Sequence, residues 1–158
     1  MLNSDLDRRL TKELSFGKVL ESIGRHRHYY VGKKLEKFDL KRAEYRLLIQ
    51  VYIEEGCCQD DIVNNLGIDK FDASKGIKSL IEKGYILKQK DEIDKRRCRL
   101  FPTDKANEIR EEFTDILVDS AGLLTEGIST EDKEVALRVM IKMAQNMYTQ
   151  SCKLRAEK

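Results

Sequence analysis

Between residues 5 and 37, Leu6, Leu10, Leu14, Val19, Leu20, Ile23, Tyr30 and Leu35 recur at roughly helical intervals among charged residues. Apolar side chains three or four positions apart share one helix face, so the spacing predicts a single long helix, with Gly17 and Gly24 as candidate break points. A stripe that long exceeds what one short neighbour can cover, and a helix from another subunit is the natural candidate to cover it. The next segment, "LKRAEYRLLIQVYIEEG", places Ala43, Leu47, Leu48 and Val51 on one face and stops at Gly56. "QDDIVNNLGI" predicts a short helix with Ile62, Val63 and Leu66 facing inward and Gly67 ending it. Asp69 then caps a third helix, "KFDASKGIKSLIEK", which turns Ala73, Ile77, Leu80 and Ile81 inward and ends at Gly84. Gly76 inside that helix costs about 1 kcal/mol relative to alanine, and a close approach by the neighbouring helix would account for it.

After Gly84 the apolar period shortens. "YILKQKD" and "RCRLFPT" are rich in strand formers and predict a hairpin with a charged connector of about five residues. Pro102, which has no amide to donate, must lie at a strand end or edge. Thr103 caps a further helix, with Asp104 in its first turn and Ile109, Phe113, Ile116, Leu117 and Leu124 at helical spacing. Ser129 opens the last helix, whose stripe is Val135, Val139, Met140, Met143 and Met147. The order of helix, helix, turn, helix and hairpin predicts a mainly α fold, a winged helix-turn-helix with a short β-hairpin wing. One domain spans 1–158, with the winged helix-turn-helix at 40–103 between long helices at 5–37 and 104–156.

Composition adds exclusions. Apolar residues make up 41% and charged residues 37% of the 158, enough for a core without disulfides or a metal. The N-terminal "MLNSDLDRRLTKEL" is charged throughout, unlike a signal peptide, and no apolar run approaches the ~20 residues of a membrane span. A cytoplasmic protein is expected. Cys57, Cys58, Cys98 and Cys152 match no zinc spacing and read as small, half-buried reduced thiols. The alternative is a redox switch in which Cys57 and Cys58, near a helix start, have lowered thiol pKa values. His26 and His28 lie two apart on a helix and so on different faces, which disfavours both a metal pair and an acid–base pair. They belong instead to the polar surface of "GRHRHYY", and with no phosphate-binding glycine loop or nucleophile motif an enzyme is not expected. No metal or cofactor is implied.

A net charge of +2 hides an uneven distribution. From Lys88 to Arg99 run Lys88, Lys90, Lys95, Arg96, Arg97 and Arg99, against Asp91, Glu92 and Asp94. Many of the acids lie in the C-terminal third. The free face of the third helix shows Phe71, Ser74, Lys75 and Lys78, with Lys70 and Asp72 in its first turn. Such a face suits a major groove: lysine and serine can bond phosphates or base edges, aspartate can accept from cytosine N4, and an aromatic ring can touch a thymine methyl. Lys95, Arg96 and Arg97 at the hairpin tip suit a narrow, negative minor groove, and Asp94 is placed to hold the Arg96 guanidinium extended. Double-stranded DNA is the partner these features favour.

The stretch "LGIDKFDASKGIKSLIEKGYILKQKDEIDKRRCRLFPTDKA" resembles the MarR (multiple antibiotic resistance regulator) family of transcription factors. Leu80, Gly84 and Tyr85 match its Leu-x-x-x-Gly-hydrophobic pattern after the recognition helix. Asp94, Lys95 and Arg96 match its Asp-x-Arg wing tip, and Thr103 its next helix start. "GISTED" is similar to the family's entry to the last helix, so the resemblance covers essentially the whole chain. It departs at Pro102, where the family has leucine, at Ala106, where it has glycine, and at Asp72, often a neutral polar residue there. The resemblance implies a homodimer built by residues 5–37 and 104–156, bound to a pseudo-palindromic operator as a repressor or activator. It also implies a small aromatic or lipophilic effector near the junction of the first, second and fifth helices, with Tyr29, Tyr30 and Tyr45 as candidate contacts. The rival readings are a winged-helix protein-interaction module without DNA binding and a thiol-based redox-sensing regulator. The first would have no need of Asp94, Arg96 and Arg97 in this register.

Overall fold

The computed structural model describes residues 5–92, 94–95 and 97–156, with side chains from 16 to 154 apart from 93 and 96. Helix α1 runs unbroken over Asp5–Leu35, so neither Gly17 nor Gly24 interrupts it. A 3-10 turn, Glu36–Phe38, follows and ends at Asp39 in the left-handed conformation (φ 54°). Then come α2 (Arg42–Ile53), α3 (Gln59–Leu66) and α4 (Lys70–Glu82). Strands β1 (Ile86–Lys90) and β2 (Cys98–Pro102) pair antiparallel, from Ile86 opposite Pro102 to Lys90 opposite Cys98. Helices α5 (Asp104–Leu124) and α6 (Thr130–Ala156) complete the chain.

The predicted punctuation is present. Asp69 accepts a hydrogen bond from the Asp72 amide at 2.7 Å, Thr103 Oγ1 from the Ala106 amide at 3.2 Å, and Ser129 Oγ from the Asp132 amide at 3.1 Å. Gly67 ends α3 at φ 62°, where any Cβ would be strained. Pro102 sits at the last rung of the hairpin, where its missing amide breaks no interior ladder bond.

The chain divides into two compact units, Met1–Ser120 and Ala121–Lys158, with α5 running across the boundary. In the first, one core joins Val31 and Leu35 of α1 to Leu47, Leu48 and Val51 of α2, Ile62 of α3, Ile77 and Leu80 of α4, Leu100 of β2 and Phe113 of α5. Two inward assignments fail. Ala43 is exposed because Glu44 and Tyr45 take the buried side of α2 instead, and Ile81 is 36% exposed because Gly76 completes the buried face of α4. The second unit holds the end of α5 and all of α6, whose Val135, Val139, Met140 and Met147 are exposed. Among the described residues no helix is long and apolar enough to cross a membrane.

Candidate nucleic-acid interface

Helix α4 is seated by a close contact and a polar network. Its Gly76 faces Leu47 of α2 so closely that an added Cβ would lie 2.3 Å from Leu47 Cδ1, which is the helix approach the sequence implied. At its C-terminal end, Ser79 Oγ and Lys83 Nζ donate to the two oxygens of the buried Glu44 carboxylate at 2.7 and 2.9 Å. The Lys41 amide donates to the same group at 2.7 Å. Burial by itself would raise the Glu44 pKa and is the largest influence, but these three donors and the Lys83 charge outweigh it and hold the carboxyl below its ordinary value. Lys83 also donates to the Asp39 carbonyl at 2.5 Å, which ties the left-handed residue after α1 to the end of α4.

With Ala73, Gly76, Ile77 and Leu80 buried, the other face of α4 is open. Lys70, Phe71, Asp72, Ser74, Lys75 and Lys78 are all exposed, and Phe71 keeps 76% of its surface accessible. An exposed ring of that size has no packing role in this unit and is free to meet a partner. Lys70 is engaged by Asp60 of α3 at 2.9 Å and Lys78 lies 3.8 Å from Glu82. Both are surface pairs that a phosphate can displace at little cost.

The hairpin connector spans 91–97, longer than the sequence suggested because the strands stop at Lys90 and start at Cys98. It closes on itself: Asp91 N donates to Arg97 O at 3.0 Å, Arg97 N to Asp94 O at 2.9 Å, and Asp94 N to Asp91 Oδ1 at 3.0 Å. Asp94, Lys95 and Arg97 are exposed at this tip. Arg96 lies outside the described residues. Arg97 also reaches back, its Nη2 lying 3.6 Å from Cys58 Sγ at the start of α3. Arg99, counted among the wing cations, is bound instead to Asp91 (Nε to Oδ2, 2.5 Å) and to the Gly56 carbonyl (Nη1, 3.0 Å).

The cysteines resolve by burial. Cys57 and Cys58 are buried, Cys98 is half-buried and Cys152 exposed. Burial, followed by the charges of Glu54 and Asp61, pushes the Cys57 thiol up to about 11, the reverse of the lowered value expected for a redox switch. His26 is on the exposed surface as expected, whereas His28 is half-buried, its Nδ1 2.5 Å from the hydroxyl of buried Tyr45. Burial, then the charges of Arg42, Arg46 and Arg27, lower the His28 pKa. His28 and Arg42 border a cavity of about 550 Å³, lined also by Arg25, Tyr29, Lys33, Glu36, Asp39 and Lys41. Tyr29 lines it and is 68% exposed; Tyr45 reaches it only through His28; Tyr30 packs against the core and is not part of the wall. The walls come from α1, the 3-10 turn and the start of α2, and α5 contributes none of them.

The sequence pattern of the MarR family matches residues 38–97. Over 114 residues the chain is 26% identical to the HTH-type transcriptional regulator YybA of Bacillus subtilis, itself uncharacterized, covering 72% of this chain and 76% of that one. A MarR protein from Peptoclostridium difficile superposes with a TM-score of 0.83 at 26% identity, over 98% of this chain and 97% of that one. A MarR-family regulator from Listeria monocytogenes, solved with a 26mer DNA, superposes with a TM-score of 0.80 at 21% identity, over 84% and 89%.

Proposed function

We propose that this chain, whose winged helix is a MarR-family winged helix, is a sequence-specific DNA-binding transcription regulator that acts as a homodimer on a pseudo-palindromic operator. One observation carries the reading. The α4 face bearing Ser74, Lys75 and Lys78 is left open by a firmly seated helix, and a wing with exposed Lys95 and Arg97 follows it in the chain. Helix in the major groove and wing in the minor groove is the division of labour this arrangement supports. The DNA-bound Listeria regulator shares the fold. The apolar stripe of α6 favours a second copy as its cover, since Val135, Val139, Met140 and Met147 stay 42–69% exposed in the single chain.

The cavity beside Tyr29 is the candidate effector site. Its wall carries Arg25, Lys33, Lys41 and Arg42 against Glu36 and Asp39, with Lys33 paired to Glu36 at 2.8 Å. The net positive charge beside the Tyr29 and His28 rings favours a small aromatic acid. Its Asp39 wall is bonded to Lys83 at the end of α4, a route by which occupancy can reach the DNA-facing helix.

The test is direct. Purified protein mixed with sheared genomic DNA should retain a small set of fragments sharing an inverted repeat. On such a fragment Lys75→Ala should weaken binding to all sequences alike and lower the salt dependence by about one counterion per subunit, because a phosphate contact carries no sequence information. Retention of no preferred sequence would favour the protein-interaction reading.

A further inference from the structure

The wing cations do not all have the same task. Arg99 lies within β2, opposite Gln89, and sends its guanidinium to two acceptors in different parts of the fold. Nε bonds Asp91 Oδ2 at 2.5 Å, at the root of the wing, and Nη1 bonds the Gly56 carbonyl at 3.0 Å, in the link between α2 and α3. Asp91 is itself two-handed: its other oxygen accepts from the Asp94 amide at 3.0 Å, inside the wing turn. A continuous run of bonds therefore leads from the wing tip through one carboxylate and one guanidinium to the helix-turn-helix.

We propose that Arg99 is a positioning residue for DNA binding, which fixes the attitude of the wing against the helix-turn-helix through Asp91 and Gly56 and does not itself contact DNA. The proposal rests on the regulator reading above. Burial supports it, because the Asp91 side chain is only 8% exposed and its charge is met by Arg99, whose own side chain, 44% exposed, covers it from the surface. Geometry supports it too. A planar guanidinium can hold a carboxylate and a carbonyl at once in fixed directions, whereas a lysine ammonium at the same place holds one or the other loosely. Neighbouring contacts reinforce the same join: Gly56 N donates to Leu100 O at 2.8 Å, Leu100 N to Cys57 O at 3.0 Å, and Arg97 lies against Cys58.

Two conservative variants separate positioning from simple charge. Arg99→Lys keeps the cation, and Asp91→Asn removes an anion from a wing that faces phosphates. Were charge alone at work, the first would bind DNA as wild type does and the second more tightly. Positioning requires both to bind more weakly, by roughly tenfold, with the double variant no worse than either single one because both break one unit. The measurements are fluorescence anisotropy on a genomic fragment retained by the wild-type protein, and on the same fragment trimmed to end short of the wings. The deficit should vanish on the trimmed duplex, where a generally weakened fold would lose affinity on both. Amide hydrogen exchange on the DNA-free variants completes the test: Asp94 and Arg97 amides should exchange faster while those of α4 stay as in wild type. Tighter binding by Asp91→Asn, an undiminished deficit on the trimmed duplex, or unchanged exchange at Asp94 and Arg97 would each overturn the proposal. The exchange arm needs no DNA, so it decides the bracket even if the wild-type protein retains no fragment, a result that would count against the regulator reading instead.

Discussion

Gly76 shows how one missing side chain can set a helix in place. Alanine there would gain about 1 kcal/mol of helix propensity. Its Cβ, however, would have to displace Leu47 Cδ1 from a fully buried site, and overpacking of that kind costs about 1–3 kcal/mol. Gly76→Ala should therefore lower stability by about 1 kcal/mol in the intact protein. In a Leu47→Ala background, itself weakened by about 2–5 kcal/mol, the sign should reverse, because the new methyl enters the space Leu47 vacated and the propensity gain is retained. Urea unfolding of the four proteins in the cycle measures both effects. A destabilising Gly76→Ala in both backgrounds would show that the glycine serves something other than this contact.

At the scale of elements, α2 holds α4 through the buried Glu44 carboxylate, and that join is sensitive to pH. The Glu44 pKa is lower in the folded protein than in the unfolded chain, so the folded state binds fewer protons there. Its stabilisation is complete above the unfolded value, near 4.3, and drains away as pH falls through the lower folded value. Glu44→Gln should cost about 1–3 kcal/mol at pH 7, and the gap between variant and wild type should narrow below about pH 4, followed by thermal melts across pH 3–7. A gap that does not change with pH would remove the charge from the explanation. The helices, the caps Asp69, Thr103 and Ser129, and the strand order were legible in the sequence because each follows from local spacing and capping chemistry. The capping boxes of α2 (Lys41 with Glu44) and α3 (Cys58 with Asp61) were not. Glu44 was not: a glutamate among the charges of "LKRAEYR" reads as surface, and only the arrival of Ser79 and Lys83 from α4 makes it a buried group. The division of Arg97 and Arg99 between tip and bracket was hidden for the same reason. Both are cations two residues apart on a hairpin, and the partners that distinguish them, Cys58 and Gly56, lie about forty positions away in sequence, beyond the reach of local pattern.

For the whole molecule, the largest unsatisfied demand is apolar. Val135, Leu137, Val139, Met140, Ile141, Met147 and Tyr148 of α6 each expose more than two fifths of their surface, as do Phe16, Val19 and Leu20 of α1. Stripes of this length are unusual on a stable monomer. Sedimentation at micromolar concentration should give twice the 18.4 kDa of one chain. Replacing Val139 and Met140 together with lysine should shift the boundary to the monomer and weaken operator binding, since two half-sites would no longer be engaged at once. A wild-type protein that sediments as a monomer would reassign both stripes to another partner.

The seat of α4 has a calorimetric consequence. A helix wedged against Leu47 at Gly76 and pinned at Ser79 and Lys83 has little ordering left to do when it enters a groove. Folding coupled to association leaves a large negative heat-capacity change, because surface hidden in the partner was open in the loose state. Here isothermal titration at several temperatures should return only the modest heat-capacity change of rigid surfaces meeting, and the binding enthalpy should vary little with temperature. Glu44→Gln, which loosens one of the pins, should make that dependence steeper.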